Sequence, residues 1–129
     1  MKTIESLSFF GSITIGLLKK YSNNLIDKNE VIKTLQDYQK NLIKEKGIYL
    51  SASISECLIV LSNQKEPHLR LDFINYPKFP LSEKIFISEI NSLGKYLMKQ
   101  FEQNRIVIIY HNKIVMFEVD DKIDPRIIN

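Results

Sequence analysis

The 129 residues carry 18 basic and 15 acidic side chains, a net charge of +3, with 44% hydrophobic residues and one cysteine. A chain of this size can bury a core of its own without metal or disulfide staples, and a lone cysteine excludes an intramolecular disulfide and points to a reducing, cytoplasmic home. The charge excess lies wholly in residues 1–50, with eight Lys against five acids, while residues 51–129 balance at ten of each. A dense basic field for nucleic acid is excluded.

Residues 3–21 read as a first helix, with Ile4, Leu7, Phe10, Leu17, Leu18 and Tyr21 on one broad face and Phe9 and Ile13 widening it. Gly11 and Gly16 weigh against a helix, each costing about 1 kcal/mol relative to Ala, and the Ile13-Thr14-Ile15 alternation admits a strand. The apolar run 7–18 between Lys2 and Lys19-Lys20 has the outline of a weak signal-peptide core. No A-x-A-like site follows it, Glu5 is out of place in a basic leader, and the run is short of the roughly 20 residues a spanning helix needs. No membrane partner is expected.

A second helix starts at Asp27, whose spacing to Glu30 suits a capping box; Val31, Leu35, Tyr38 and Leu42 recur at helical spacing, and Gly47 can close the C-terminus. Residues 49–62 form a β region whose apolar set changes phase, Leu50, Ala52 and Ile54 giving way to Cys57, Ile59 and Leu61, which predicts a bulge or corner near Ser55-Glu56. A turn over 63–67 leads to a strand over 68–75. Ser82 caps a long helix with the stripe Phe86, Ile90, Leu93, Leu97 and Phe101, stopping at Asn104. Residues 105–110 and 114–119 form a hairpin around His111-Asn112-Lys113. No repeat or linker divides the chain. The expected fold is a single α+β domain over residues 1–129: a mostly antiparallel sheet of four to five strands with two N-terminal helices and one long helix, in the order α-α-β-β-α-β-β.

No spacing in the chain announces chemistry. His68 and His111 are the only histidines, and neither they nor Cys57 lie at metal-ligand spacing. His68 and Asp72 on one strand stand about 13 Å apart and cannot share an ion unaided; His68 reads as a solvated strand residue. Cys57, between Glu56 and Leu58, reads as a buried thiol. There is no nucleophile elbow, the four glycines are too dispersed for a phosphate cradle, and Asp120-Asp121 point to opposite sides of an extended chain. Lys33, Lys40 and Lys44 line a solvated helix face interrupted by Asp37. No cofactor, no metal and no catalytic residue are expected.

The remaining feature is the turn Asn75-Tyr76-Pro77-Lys78-Phe79-Pro80, in which two prolines hold aromatics in a semi-rigid presentation. Rigid aromatics beside a cation are typical binding anchors, so Tyr76 and Lys78, together with Glu66 and the outward strand row His68, Arg70 and Asp72, form the expected partner-binding set. Phe79 is expected to tuck beneath the sheet. The stretch Glu66-Pro67-His68-Leu69-Arg70-Leu71-Asp72-Phe73-Ile74-Asn75-Tyr76-Pro77, with Asn104-Arg105-Ile106-Val107-Ile108-Ile109, resembles small bacterial immunity proteins paired with contact-dependent growth-inhibition toxins. That resemblance implies a non-enzymatic cytoplasmic protein that binds and neutralises a cognate toxin domain. The alternative is a secretion or assembly chaperone or a homodimeric scaffold, motivated by the very apolar segment 7–18.

Overall fold

The middle of the molecule is a strand where the sequence pattern suggested a helix. In the computed structural model, which describes residues 1–127, β1 (Phe10–Gly16) lies at the centre of a five-stranded sheet. It is followed by α1 (Lys28–Lys46), β2 (Ser53–Leu61), β3 (Gln64–Ile74), α2 (Glu83–Gln100), β4 (Arg105–Tyr110) and β5 (Ile114–Glu118), with a short 3-10 turn at Pro125–Ile127. The order is β-α-β-β-α-β-β with two long helices, which corrects the expected three-helix α-α-β-β-α-β-β fold. Strands run β2-β3-β1-β4-β5 across the sheet, and every neighbouring pair is antiparallel.

The physical reason for the correction lies in β1 itself. Ile13 and Ile15 are fully buried towards the helices, while Ser12, on the other face, is also buried. The strand alternates only over Ser12-Ile13-Thr14-Ile15-Gly16, and the apolar Phe9-Phe10 and Leu17-Leu18 that flank it, with Phe9, Leu17 and Leu18 also buried, extend the pattern into an apolar run that periodicity cannot tell from a buried helix. Residues 1–9 form no regular element; Asn75 ties them down, donating from Nδ2 to the Leu7 carbonyl and from its backbone N–H to the Phe9 carbonyl.

Both helices pack on one face of the sheet, against Ile13, Ile15, Leu69, Leu71, Phe73, Ile106, Ile108 and Tyr110. Their ends follow local chemistry. Asp27 caps α1 by accepting from the Asn29 N–H, and Gly47 closes it at φ 65 in the left-handed region that glycine enters without strain. Ser82 caps α2 by accepting from the Ile85 N–H. Gly94 lets α2 lie close on the sheet, because a Cβ there would stand 2.7 Å from Ile108 Cδ1.

The expected bulge in β2 is absent: the register to β3 runs unbroken from Ser53↔Asp72 to Leu61↔Gln64. The phase change has another cause. Residues opposite one another in an antiparallel pair project to the same face, so Ile54 beside Leu71 faces the helices, whereas Cys57, Ile59 and Leu61 beside His68, Glu66 and Gln64 face the opposite, uncovered side. The apolar set changes faces because what it packs against changes. Cys57 is accordingly half-buried beside His68 rather than enclosed in the core.

Candidate functional site: a cleft on the uncovered sheet face

On the uncovered face, Thr14 and Gly16 of β1 lie between Glu66 and His68 of β3 on one side and Arg105, Val107 and Ile109 of β4 on the other. The polar segment after α2 (Gln103-Asn104-Arg105) and the C-terminal turn at Asp124–Ile127 close the ends. Together they enclose a cleft of about 530 Å³, within the range of small-molecule sites. Its walls include the side chains of Leu18, Ile59, Leu61, Val107 and Ile109.

The floor owes its chemistry to a missing side chain. A Cβ on Gly16 would stand 2.8 Å from Gln103 Oε1, 2.9 Å from Glu66 Oε1 and 3.4 Å from His68 Nε2. Three polar side chains therefore converge over bare backbone at that point. Gln103 is held by its amide, Nε2 donating to the carbonyls of Leu18 and Phe101, which turns Oε1 towards Gly16. Glu66 Oε2 accepts from Gln64 Nε2 at 3.0 Å. Among the described residues no cation lies within ion-pairing distance of Glu66, although the guanidinium of Arg126 on the cleft wall feels its charge.

His68 has its tautomer set by its neighbour. Nδ1 lies 3.1 Å from the Glu66 carbonyl oxygen, and a carbonyl can only accept. In the neutral ring Nδ1 therefore carries the proton and Nε2 presents its lone pair over Gly16.

The cations at the cleft's end serve the scaffold. Tyr21 Oη donates to the Lys122 carbonyl and accepts from Asn104 Nδ2 and Arg105 Nη1. Arg105 also donates to Glu118, and from Nη2 to the carbonyls of Asp120 and Lys122; the Glu118 carboxylate holds its guanidinium even more firmly charged than usual. Lys20 pairs with Asp120 at 2.8 Å and holds that carboxyl below its ordinary range. These contacts strap residues 118–122 across the cleft's end.

The structure divides the expected partner-binding set. Glu66 and His68 meet in the cleft. Arg70 and Asp72 share its sheet face but not its lining; they pair at 3.4 Å, and Asp72 also accepts from Ser12 Oγ. Tyr76 and Lys78 sit on the turn beyond Ile74, away from the cleft. Tyr76 is half exposed and stacks on Phe79 at 6.1 Å, and Phe79 stacks on Tyr49 at 4.3 Å. Phe79 is itself 40% exposed, so it flanks the turn rather than lying beneath the sheet. Sequence reasoning missed Gly16, Gln64, Gln103 and Arg126, because residues brought together by strand pairing and chain return leave no spacing to read.

No protein-family model and no curated protein sequence matches the chain. Solved structures do. The fold is similar to a phage SAM lyase in complex with S-methyl-5'-thioadenosine, at 19% identity over 92% of this chain and 95% of that one, with a TM-score of 0.74. It is also similar to a phage SAM lyase in the apo state, at 18% identity over 94% of this chain and 99% of that one, TM-score 0.68.

At such identities the likeness establishes the shared fold. The expectation of a non-enzymatic immunity or inhibitor protein is corrected on this finding, since both similar structures are of SAM lyases. That expectation rested on the lack of a contiguous catalytic motif, whereas the convergent groups here are dispersed from Gly16 to Arg126. Nothing in these comparisons bears on a toxin system. Among the described residues, no helix is long and apolar enough to cross a membrane.

Proposed function

We propose that this chain is a lyase acting on S-adenosylmethionine (SAM), cleaving the bond between its sulfonium sulfur and the amino-acid chain to release S-methyl-5'-thioadenosine. The observation that carries this reading is the convergence of the unpaired Glu66 carboxylate and the bare His68 Nε2 over Gly16, in a cleft on a fold shared along nearly its whole length with SAM lyases.

The chemistry suits the groups present. SAM is cationic at sulfur, and a carboxylate with no ion pair among the described residues attracts that charge in a partly apolar cleft far more than it would in open water. Breaking the sulfur–carbon bond sends the electron pair to sulfur and leaves a neutral thioether, so the attraction to Glu66 falls as product forms and release is favoured. A lyase adds no water: as the sulfur–Cγ bond breaks, His68 Nε2 takes a proton from Cβ and that C–H electron pair becomes a Cβ–Cγ double bond, so the second product is an unsaturated amino acid. The aliphatic walls formed by Ile59, Leu61, Val107 and Ile109 offer apolar surface to the adenine ring. A cytoplasmic setting fits both an abundant intracellular substrate class and the single unpaired thiol.

The experiment is incubation of the purified chain with SAM and detection of S-methyl-5'-thioadenosine by liquid chromatography and mass spectrometry. Product should accumulate with the wild-type chain and fall by about a hundredfold or more in Glu66→Gln, which keeps the side chain's shape and removes its charge. A wild-type chain that neither binds S-methyl-5'-thioadenosine nor turns over SAM would overturn the reading.

A further inference from the structure

The C-terminal turn brings to the cleft a guanidinium that the bond-breaking chemistry above leaves without a task. Asp124 is only 4% exposed, and its carboxylate accepts from the Arg126 backbone N–H, from Arg126 Nε and from Arg126 Nη2. The Arg126 side chain is thereby fixed in one orientation, and its Nη1 makes no hydrogen bond among the described residues. Arg105, the other guanidinium of the cleft, differs: each of its nitrogens donates to the scaffold.

A second contact ties this turn to the floor. Gln64 Nε2 lies 3.0 Å from Glu66 Oε2 and 3.5 Å from Asp124 Oδ2, so one amide spans the two carboxylates. The anion on β3 and the cation on the turn are therefore held in fixed relation within one cleft.

The arrangement matches a zwitterionic chain. In SAM the sulfonium and the α-carboxylate are separated only by the γ, β and α carbons, a positive and a negative group a few bonds apart. We propose that Arg126 receives the α-carboxylate of the substrate while Glu66 holds its cationic sulfur, making the C-terminal turn the part of the site that selects sulfonium nucleosides carrying an amino-acid carboxylate. This rests on the lyase reading. Asp124 occupies the Nε–H and one Nη2–H of the guanidinium, so the substrate carboxylate is met at the other end, by Nη1 and the second Nη2–H beside it.

The test compares wild-type, Arg126→Gln and Arg126→Lys chains with three probes: SAM, decarboxylated SAM as a competitor, and S-methyl-5'-thioadenosine, which has no carboxylate. Arg126→Gln should raise KM for SAM by about tenfold or more, the worth of one charge-assisted hydrogen bond, with a much smaller change in kcat. Its affinity for S-methyl-5'-thioadenosine should stay at the wild-type value, and Arg126→Lys should recover part of the loss. On the wild-type chain, decarboxylated SAM should inhibit with a constant about tenfold above the KM for SAM, and Arg126→Gln should leave that constant unchanged.

An unaltered KM in Arg126→Gln, or a wild-type chain that treats SAM and its decarboxylated form alike, overturns this inference while the lyase reading stands. A wild-type chain that binds none of the three probes overturns both. Should Arg126→Gln fail to fold, the comparison of SAM with decarboxylated SAM on the wild-type chain decides the matter alone.

Discussion

The carboxylate of Glu66 occupies the space that a side chain on Gly16 would need, with Oε1 standing 2.9 Å from the position of a Cβ there. A cross-strand neighbour of β1 thus reaches over its backbone because β1 has nothing in the way. Gly16→Ala should push Glu66 and Gln103 off the cleft floor. Both atoms are the far ends of flexible side chains, so the sheet should tolerate the change. The expected outcome is a fall in SAM turnover of about tenfold to a hundredfold, the usual cost of displacing a positioned group, with a melting temperature within about 3 °C of wild type. Thermal melts and initial rates on the same preparation check it; lost activity accompanied by a collapsed melting temperature would instead make Gly16 a structural residue.

The parts of the molecule legible in its sequence are those with one exposed face. Both long helices carry a polar side that reveals their period, and their caps at Asp27, Gly47 and Ser82 stand where the residue chemistry places them. The strand β3 shows its alternation from His68 to Phe73 because one face meets the helices and the other is polar. β1 has only a short alternation, and the buried Phe9, Leu17 and Leu18 at its ends merge with it into an apolar run that hides the strand on which the sheet is built. The cleft was legible only in part. Glu66 and His68 sit two apart on one strand and belong to the set that the sequence marks for partner binding. Gly16, Gln103 and Arg126 join them through β1–β3 pairing, the end of α2 and the return of the C-terminus, relations that exist only once the chain has folded.

The contact between Gly94 and Ile108 sets how closely α2 lies on the sheet. Adding a methyl at position 94 brings it to 2.7 Å from Ile108 Cδ1 inside the core, and overpacking of this kind costs about 1–3 kcal/mol, against which the helix gains up to about 1 kcal/mol of propensity. Ile108→Val removes that methyl group and alone costs about 1 kcal/mol. Denaturant unfolding of Gly94→Ala, Ile108→Val and the double variant should show the double variant losing less than the two single losses combined. Simple additivity would mean that the separation of helix and sheet is fixed elsewhere.

Stability towards acid should depend on Asp124. Hydrogen bonds from Arg126 hold its carboxyl below the usual value of 3.8. The unfolded chain therefore takes up this proton at a higher pH than the folded chain does. The stabilisation is present in full above the ordinary carboxylate range and is lost as pH falls through the lower folded value. Asp124→Asn should be less stable than wild type at pH 7, and the gap should narrow steadily as pH drops from about 5 towards 2. Urea midpoints across that range check it. A gap independent of pH would show that the Asp124–Arg126 pair does not stabilise the charged carboxylate.

The pair Lys46–Glu89 joins the end of α1 to α2 at 2.9 Å, but its two partners are unequally placed. Lys46 is half exposed, whereas the Glu89 side chain is 9% exposed and its Oε2 is buried without a hydrogen-bond partner among the described residues. Removing the lysine leaves a buried carboxylate without its counter-ion, the costly way to break such a pair; replacing the glutamate by an apolar side chain of similar size removes the desolvation burden together with the attraction. The substitutions should therefore act in opposite senses. Lys46→Met should lower the melting temperature, and Glu89→Met should leave it unchanged or raise it. The Tyr38 hydroxyl gives an independent readout, because burial and then the charge on Glu89 push its pKa above the ordinary phenol value, so Glu89→Met should lower that pKa in a spectrophotometric titration. Equal destabilisation by both substitutions would show that the ion pair, rather than the packing of α1 on α2, holds the helices together at this point.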